Sequence, residues 1–328
     1  MEELPVIDLH QAPEAVAAAI GSACRAHGFF YVTGHDVDEA LALKLEAQSH
    51  AFFALPEATK TRYAMALGGR AWRGWFPLGG ELTSGRPDWK EGLYLGTELN
   101  DDHPRVQAGV PMHGANLLPG ADVLPGFADT VHAYMAQVTA LGHRMMGFIA
   151  LSLGLPADYF ARRYTADPLV LFRIFLYPSR AVPEGANVLH GVGEHTDYGL
   201  LTLLRQDDVG GLEVKGRSGT TEGWIQAPPV PRSFVCNIGD MLDRMTGGLY
   251  RSTPHRVKLN TSGRDRLSFP LFFDPDFDAF IEPIRTPETD DAATRWDGAS
   301  VHAFRGRYGD YVLGKVGKVF PQLKSSVL

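Results

Sequence analysis

His195 and Asp197 lie two apart in Gly193-Glu194-His195-Thr196-Asp197-Tyr198-Gly199, just ahead of the strand formers Leu200-Leu201-Thr202-Leu203-Leu204. Alternate residues of a strand share a face, so an extended run would project an imidazole nitrogen and a carboxylate oxygen together, a pair suited to a divalent metal. Such a pair needs a third ligand. Far downstream, Arg251-Ser252-Thr253-Pro254-His255-Arg256-Val257 offers His255, and Arg266-Leu267-Ser268 beyond it offers a same-face cation and hydroxyl for an anion. Two imidazoles and one carboxylate occupy one face of a metal and leave positions open. That suits non-haem iron(II) better than a closed structural zinc site. With 12 His and 38 acidic residues in 328, an isolated His-x-acid pair is expected by chance, so the weight rests on the surrounding residues.

Those side chains need a scaffold, and the hydrophobic pattern supplies one in two halves. Leu4 to Leu9 reads as a short strand, Pro13 to Ala26 as an Ala-rich helix opening near a proline, and Gly28 as its stop. Gly28 to His35 reads as strand then turn, with His35 a turn or capping residue, and helices are expected from about Asp38 to Phe53 and after Pro56. Arg70 to Glu81 is too rich in Gly and aromatic residues for a regular element, and Asp88 to Leu95 reads as a strand. Residues 100 to 125 form a Pro- and Gly-rich surface connection. Helical spacing of Val131, Tyr134, Met135, Val138, Leu141, Met145, Phe148 and Ile149 predicts a long amphipathic helix over Phe127 to Leu153. From Leu169 to about Phe273, short strands punctuated by Gly, Asp and Pro indicate a β-sandwich or barrel. A last helix is expected from about Asp297 to Leu313.

Composition bounds the partners. A formal net charge of −7 with no basic run argues against nucleic acid or an anionic membrane surface as ligand. Neither a secretory leader nor a spanning segment of roughly 18 apolar residues is visible, so a cytoplasmic location is expected. Cys24 and Cys236 are too few and too scattered for a disulfide framework and read as buried free thiols.

Taken together, Gly-x-His-x-Asp-x-Gly, Asn237-Ile238-Gly239-Asp240, Ser252-Thr253-Pro254-His255-Arg256-Val257 and Arg266-Leu267-Ser268 resemble the iron(II)/2-oxoglutarate-dependent oxygenases of the isopenicillin N synthase-like family. The resemblance spans most of the chain. It implies a mainly β fold with flanking helices, built on a double-stranded β-helix (jelly roll) core with a helical N-terminal region and a C-terminal helix. The expected divisions are 1–125 for the N-terminal region, 126–165 for the connecting helix, 166–280 for the jelly-roll core and 281–328 for the C-terminal extension.

It further implies that His195, Asp197 and His255 bind iron(II), and that Arg266, Ser268 and Tyr177 hold 2-oxoglutarate, with Arg266 pairing its distal carboxylate. The family's Asn-x-Tyr-Pro is here Phe175-Leu176-Tyr177-Pro178, which replaces a polar contact by an apolar one. Arg173, Phe175, Arg73, Trp75, Tyr94 and Phe273 are candidates for the substrate pocket. The implied activity couples oxidative decarboxylation of 2-oxoglutarate by O2 to hydroxylation, desaturation or cyclisation of a small, largely apolar molecule, with ascorbate as a stimulant and the enzyme a monomer. An iron-dependent oxidase that does not use 2-oxoglutarate is the alternative, because isopenicillin N synthase keeps an Arg-x-Ser for its own substrate; a non-catalytic metal-binding jelly roll is a further one.

Overall fold

Pro13 lacks a backbone N–H that a first helical turn could not use, and α1 (Pro13–Ala26) starts on it. The helix connects β1 (Val6–Asp8) to its parallel partner β2 (Phe29–Thr33). This computed structural model describes residues 3–182, 184–185, 188–216, 223–285 and 304–319. Asp38 accepts a hydrogen bond from Ala40 N at 2.8 Å and so caps α2 (Glu39–Phe53), and α3 (Glu57–Lys60) follows Pro56.

The stretch expected to be irregular, Arg70 to Glu81, contains β3 (Gly74–Phe76); a short hairpin of β4 (Leu82–Thr83) and β5 (Arg86–Pro87) follows it, and β6 (Glu91–Gly96) forms where a strand was expected. Pairing with β6 makes β3 a strand: Gly74 lies opposite Tyr94 and Phe76 opposite Gly92. After the single turn α4 (Pro104–Gln107), α5 (Phe127–Ser152) follows its periodic apolar stripe and buries Val131, Tyr134, Val138, Leu141, Met145 and Ile149. It packs on the sheet, and α6 (Tyr159–Arg163) leads into the strand-rich half.

That half contains β7 (Leu169–Tyr177), β8 (Val192–His195), β9 (Leu201–Gln206), β10 (Leu212–Lys215), β11 (Trp224–Gln226) and β12 (Phe234–Ile238). A short α7 (Asp240–Met245) precedes β13 (His255–Val257) and β14 (Arg266–Asp274). β15 (Phe280–Ile281), β16 (Gly306–Arg307) and α8 (Tyr308–Val316) close the described chain. An eight-stranded sheet runs β1-β2-β12-β9-β14-β7-β6-β3, and a four-stranded sheet runs β11-β10-β13-β8. The two sheets form the jelly roll, and residues of both line the cavity between them. Strands from residues 1–125 extend the larger sheet on both sides, so the N-terminal region shares the core's backbone hydrogen bonds.

Two further expectations need correction. The run from Gly193 to Leu204 is two strands in different sheets, since β8 ends at His195 and β9 begins at Leu201. Gly199 lets the bend pass under the end of β14, where a Cβ would fall 1.4 Å from Asp274 Oδ1. The last helix starts at Tyr308 and reaches Val316. Residues 297–303 lie outside the described residues, while Gly306 and Arg307 are extended because they pair with Ile281 and Phe280.

Candidate active site

β8 and β13 are antiparallel neighbours, and their register places His195 directly opposite His255. Each imidazole donates its Nδ1–H to a backbone carbonyl, His195 to Gly193 O at 2.8 Å and His255 to Thr253 O at 3.2 Å. Both Nε2 atoms are thereby left as lone-pair donors, the tautomer a metal requires. They lie 3.8 Å and 3.7 Å from Asp197 Oδ1. The other carboxylate oxygen, Oδ2, accepts from Thr202 Oγ1 at 2.5 Å and Asn237 Nδ2 at 2.7 Å. One ligand atom from each of the three residues falls within 4.8 Å of the others.

Electrostatics favours the carboxylate form of Asp197 and the neutral ring of His255. Burial alone would raise the Asp197 carboxyl, but His255, His195 and the bonds from Asn237 and Thr202 hold it below the ordinary value. Burial, followed by the neighbouring His195, lowers His255 to about 4, so its ring is neutral at physiological pH. Asp240 N donates to Asp197 O at 2.7 Å and fixes the backbone of the bend.

The cavity above this triad measures about 480 Å³. Alternation along β7 points Leu171, Arg173, Phe175 and Tyr177 into it, and alternation along β14 does the same for Arg266, Ser268, Pro270 and Phe272. Leu267, Phe269 and Leu271 pack on the opposite face. Arg266 lies across from Tyr177, whose ring centre is 4.6 Å from the guanidinium carbon. Its Nη2 donates to Gln206 Oε1 at 3.2 Å, whereas Nε and Nη1 are buried without a partner among the described residues. A buried guanidinium with open donors is costly unless an anion fills the place, and a carboxylate matches its planar fork. Ser268 Oγ and Tyr177 OH stand beside each other 3.5 Å apart at the same end. Both the triad and this anion seat therefore fit iron(II) and 2-oxoglutarate.

Three of the substrate candidates do not reach the cavity. Arg73 is buried with Nη1 donating to Thr97 O, Gly114 O and Asn116 Oδ1 and Nη2 to Met112 O, so it ties the 97–116 connection to β3. Trp75 donates Nε1 to Glu91 Oε2 at 2.9 Å and packs under Lys60. Phe273 has the wrong parity: it faces α5, its ring 4.8 Å from that of His143, while Phe272 faces the cavity. Arg173, Phe175 and Tyr94 do line it. His35 is a turn residue whose Nδ1 accepts from Val37 N.

Other wall residues are not evident from sequence. Lys90 lies 3.0 Å from Glu81 and 2.6 Å from Asp88, all three buried, with Glu81 and Lys90 on the cavity wall. In sequence Asp88 to Leu95 reads as a strand, with nothing in residue type to single out Asp88 or Lys90 as wall residues. The one usable signal is that Lys90 and Tyr94 share strand parity. Val312, Lys315 and Val316 of α8 also border the cavity, and nothing local in the sequence indicates it.

Residues 4–121 match the family described as non-haem dioxygenase in morphine synthesis N-terminal, and residues 165–275 match the 2OG-Fe(II) oxygenase superfamily. A probable iron/ascorbate oxidoreductase of Dictyostelium discoideum is 53% identical over 358 aligned positions, covering 100% of this chain and 98% of that protein. A 1-aminocyclopropane-1-carboxylate oxidase of the same organism is 40% identical, covering 98% and 96%. Among solved structures, a full-length Neurospora crassa protein in complex with alpha-KG and thymine superposes with a TM-score of 0.77 at 26% identity, covering 96% of each chain. With a jelly-roll core, a two-histidine, one-carboxylate triad and a buried anion seat already in place, these similarities identify the chain as a member of the 2OG-Fe(II) oxygenase superfamily, an iron(II)/2-oxoglutarate-dependent dioxygenase.

Proposed function

We propose that His195 Nε2, Asp197 Oδ1 and His255 Nε2 hold the iron, that Arg266, Ser268 and Tyr177 seat the distal carboxylate of 2-oxoglutarate, and that the primary substrate occupies the cavity between Phe175, Tyr94 and α8. The observation that carries this is the division of labour at Asp197: Oδ2 is committed to Thr202 and Asn237, which leaves Oδ1 facing both imidazoles. When bound, iron(II) with O2 and 2-oxoglutarate supplies the oxidising power that removes hydrogen from an unactivated C–H bond. The protein supplies the placement: three ligands on one face, a fixed site for the cosubstrate's far end, and walls that keep water and other reductants away. Hydroxylation is the default outcome, with desaturation or cyclisation set by where the substrate carbon sits.

The name of the 53% relative supports ascorbate as a reductant that keeps the metal in its iron(II) state. The buried thiols of Cys24 and Cys236 support a reducing compartment, and the setting we assign is a cytoplasmic monomer. Among the described residues no helix is long and apolar enough to cross a membrane. Anaerobic metal loading followed by oxygen addition tests the reading. Wild-type protein is expected to bind one iron and release succinate from 2-oxoglutarate, and His255→Ala to lose both. Stoichiometric iron and undiminished succinate in His255→Ala would reject the ligand assignment.

A further inference from the structure

Arg173 has no part in holding iron or cosubstrate, yet it is a buried guanidinium on the wall of the same cavity. Its mount is rigid. Nη1 donates to Leu95 O at 3.1 Å and Phe172 O at 3.0 Å, and the Tyr94 ring centre lies 3.5 Å from its Cζ. Tyr94 is pinned in turn, because its hydroxyl donates to Glu81, Glu81 is paired with Lys90, and Lys90 is bonded to Asp88. Asp88 accepts from Gly193 N at 3.1 Å, so the mount is tied to the strand that ends in His195.

Glu81 and Asp274 favour the charge on Arg173, but from beyond ion-pair distance. Among the described residues no carboxylate pairs with it: Glu81 is engaged by Lys90 and Tyr94, and Asp274 takes the Tyr308 hydroxyl at 2.5 Å. Its two hydrogen bonds to backbone carbonyls use Nη1, and its close side-chain neighbour is the neutral Tyr94, so the guanidinium meets the cavity with no carboxylate beside it among the described residues. Burying a guanidinium without a counter-charge is costly, and such groups are retained where a ligand supplies the anion. The place is also distinct from the cosubstrate's. Arg173 is four residues from Tyr177, roughly 13 Å along the strand from the Arg266 end, and Phe175 projects between them.

We infer that Arg173 anchors a carboxylate of the primary substrate, which makes that substrate a small carboxylic acid whose apolar body lies against Phe175 and Phe272. The inference rests on the iron and 2-oxoglutarate assignment, deepens it by naming a substrate class, and keeps the expected apolar body while adding one fixed charge. The anchor selects which C–H faces the metal, because a substrate held at a rigid cation presents one carbon at a set distance.

The test is anaerobic isothermal titration of iron-and-2-oxoglutarate-loaded protein with small monocarboxylates, each beside its primary amide. The panel runs from 1-aminocyclopropane-1-carboxylate to phenylacetate and short fatty acids. At least one acid is expected to bind the wild type, with its amide weaker by on the order of 30-fold or more, and Arg173→Gln should weaken the acid by a similar factor. The 2-oxoglutarate isotherm, measured first on the same samples, is expected to be unchanged by Arg173→Gln and reports the Arg266 site separately. Amides binding as well as their acids, acids binding Arg173→Gln as they bind wild type, or no acid binding the loaded wild type would each overturn the inference. The acid–amide comparison on wild type stands even if the variant does not fold.

Discussion

Two polar side chains decide which oxygen of Asp197 faces the two imidazoles. Thr202 and Asn237 bond the same carboxylate oxygen, and the negative charge of the other is left undivided toward the two imidazoles. Groups that orient a ligand without completing the coordination typically alter metal affinity by about 10–100-fold. Thr202→Val, which keeps the shape and removes the donor, should therefore weaken iron binding by about that factor while leaving turnover measurable at saturating iron. Anaerobic iron titration measures it; an unchanged affinity would show that Asn237 alone orients the carboxylate. At the opposite end of the cavity, Arg266→Leu removes the open donors and should raise the dissociation constant for 2-oxoglutarate by the equivalent of about 2–5 kcal/mol with iron affinity retained. Equal 2-oxoglutarate affinity in the variant would assign Arg266 to the primary substrate instead.

The residue scale is also where the sequence is most legible. Parity along a strand is rigid, so Arg266 and Ser268 fall on one face and Leu267 on the other without any coordinates, and the same rule joins Arg173 to Tyr177. The alternation that puts Arg266 and Ser268 in the cavity also puts Phe272 there and turns Phe273 away toward α5, so Phe273 as a substrate candidate conflicts with the parity of its own strand. Composition misleads at Arg73 and Trp75: a Gly- and Trp-rich stretch signals close packing, and the partners that absorb Arg73 lie 24 to 43 residues away in sequence.

Helix α5 and strand β14 meet at a contact that the amphipathic pattern cannot reveal. Gly142 sits where Phe273 crosses the helix, and a Cβ there would come within 2.4 Å of the ring. Gly142→Ala should force the two elements apart and cost about 1–3 kcal/mol of unfolding free energy, read from the shift of a urea transition. Gly147, on the same helix, is a control. Its Cβ would meet only Ala157 O at 3.4 Å, so Gly147→Ala is expected to be neutral or to stabilise by up to about 1 kcal/mol through helix propensity. Equal effects at both sites would mean that helix propensity, not the aromatic contact, governs. The elements themselves are legible because α1, α2, α5 and β7 each carry their own start signal and period. The break between β8 and β9 is not, since strand formers flank it on both sides and the side chain that leaves room only for glycine in the bend, Asp274, is 75 residues from Gly199 in the chain.

At the scale of the whole molecule, the C-terminal helix is joined to the main sheet through a buried carboxyl. Tyr308, at the first turn of α8, donates to Asp274 Oδ2 at 2.5 Å, and Val312 and Val316 of the same helix border the cavity. Burial pushes the Asp274 carboxyl up to about 7, against a partial opposing effect of the tyrosine bond. A folded-state value above the unfolded one means that the native protein holds a proton the unfolded chain releases. Stability from this group is then fully present below about pH 4 and is lost progressively as pH rises to about 7, by an amount on the order of 4 kcal/mol. Asp274→Asn keeps an acceptor for Tyr308 and has no proton to lose. Melting temperatures of the two proteins measured from pH 5 to 8 should diverge, the wild type falling relative to the variant as the pH rises. Parallel curves would show that Asp274 is ionised throughout, and that the contact seating α8 is then a charged hydrogen bond whose strength does not change across this range.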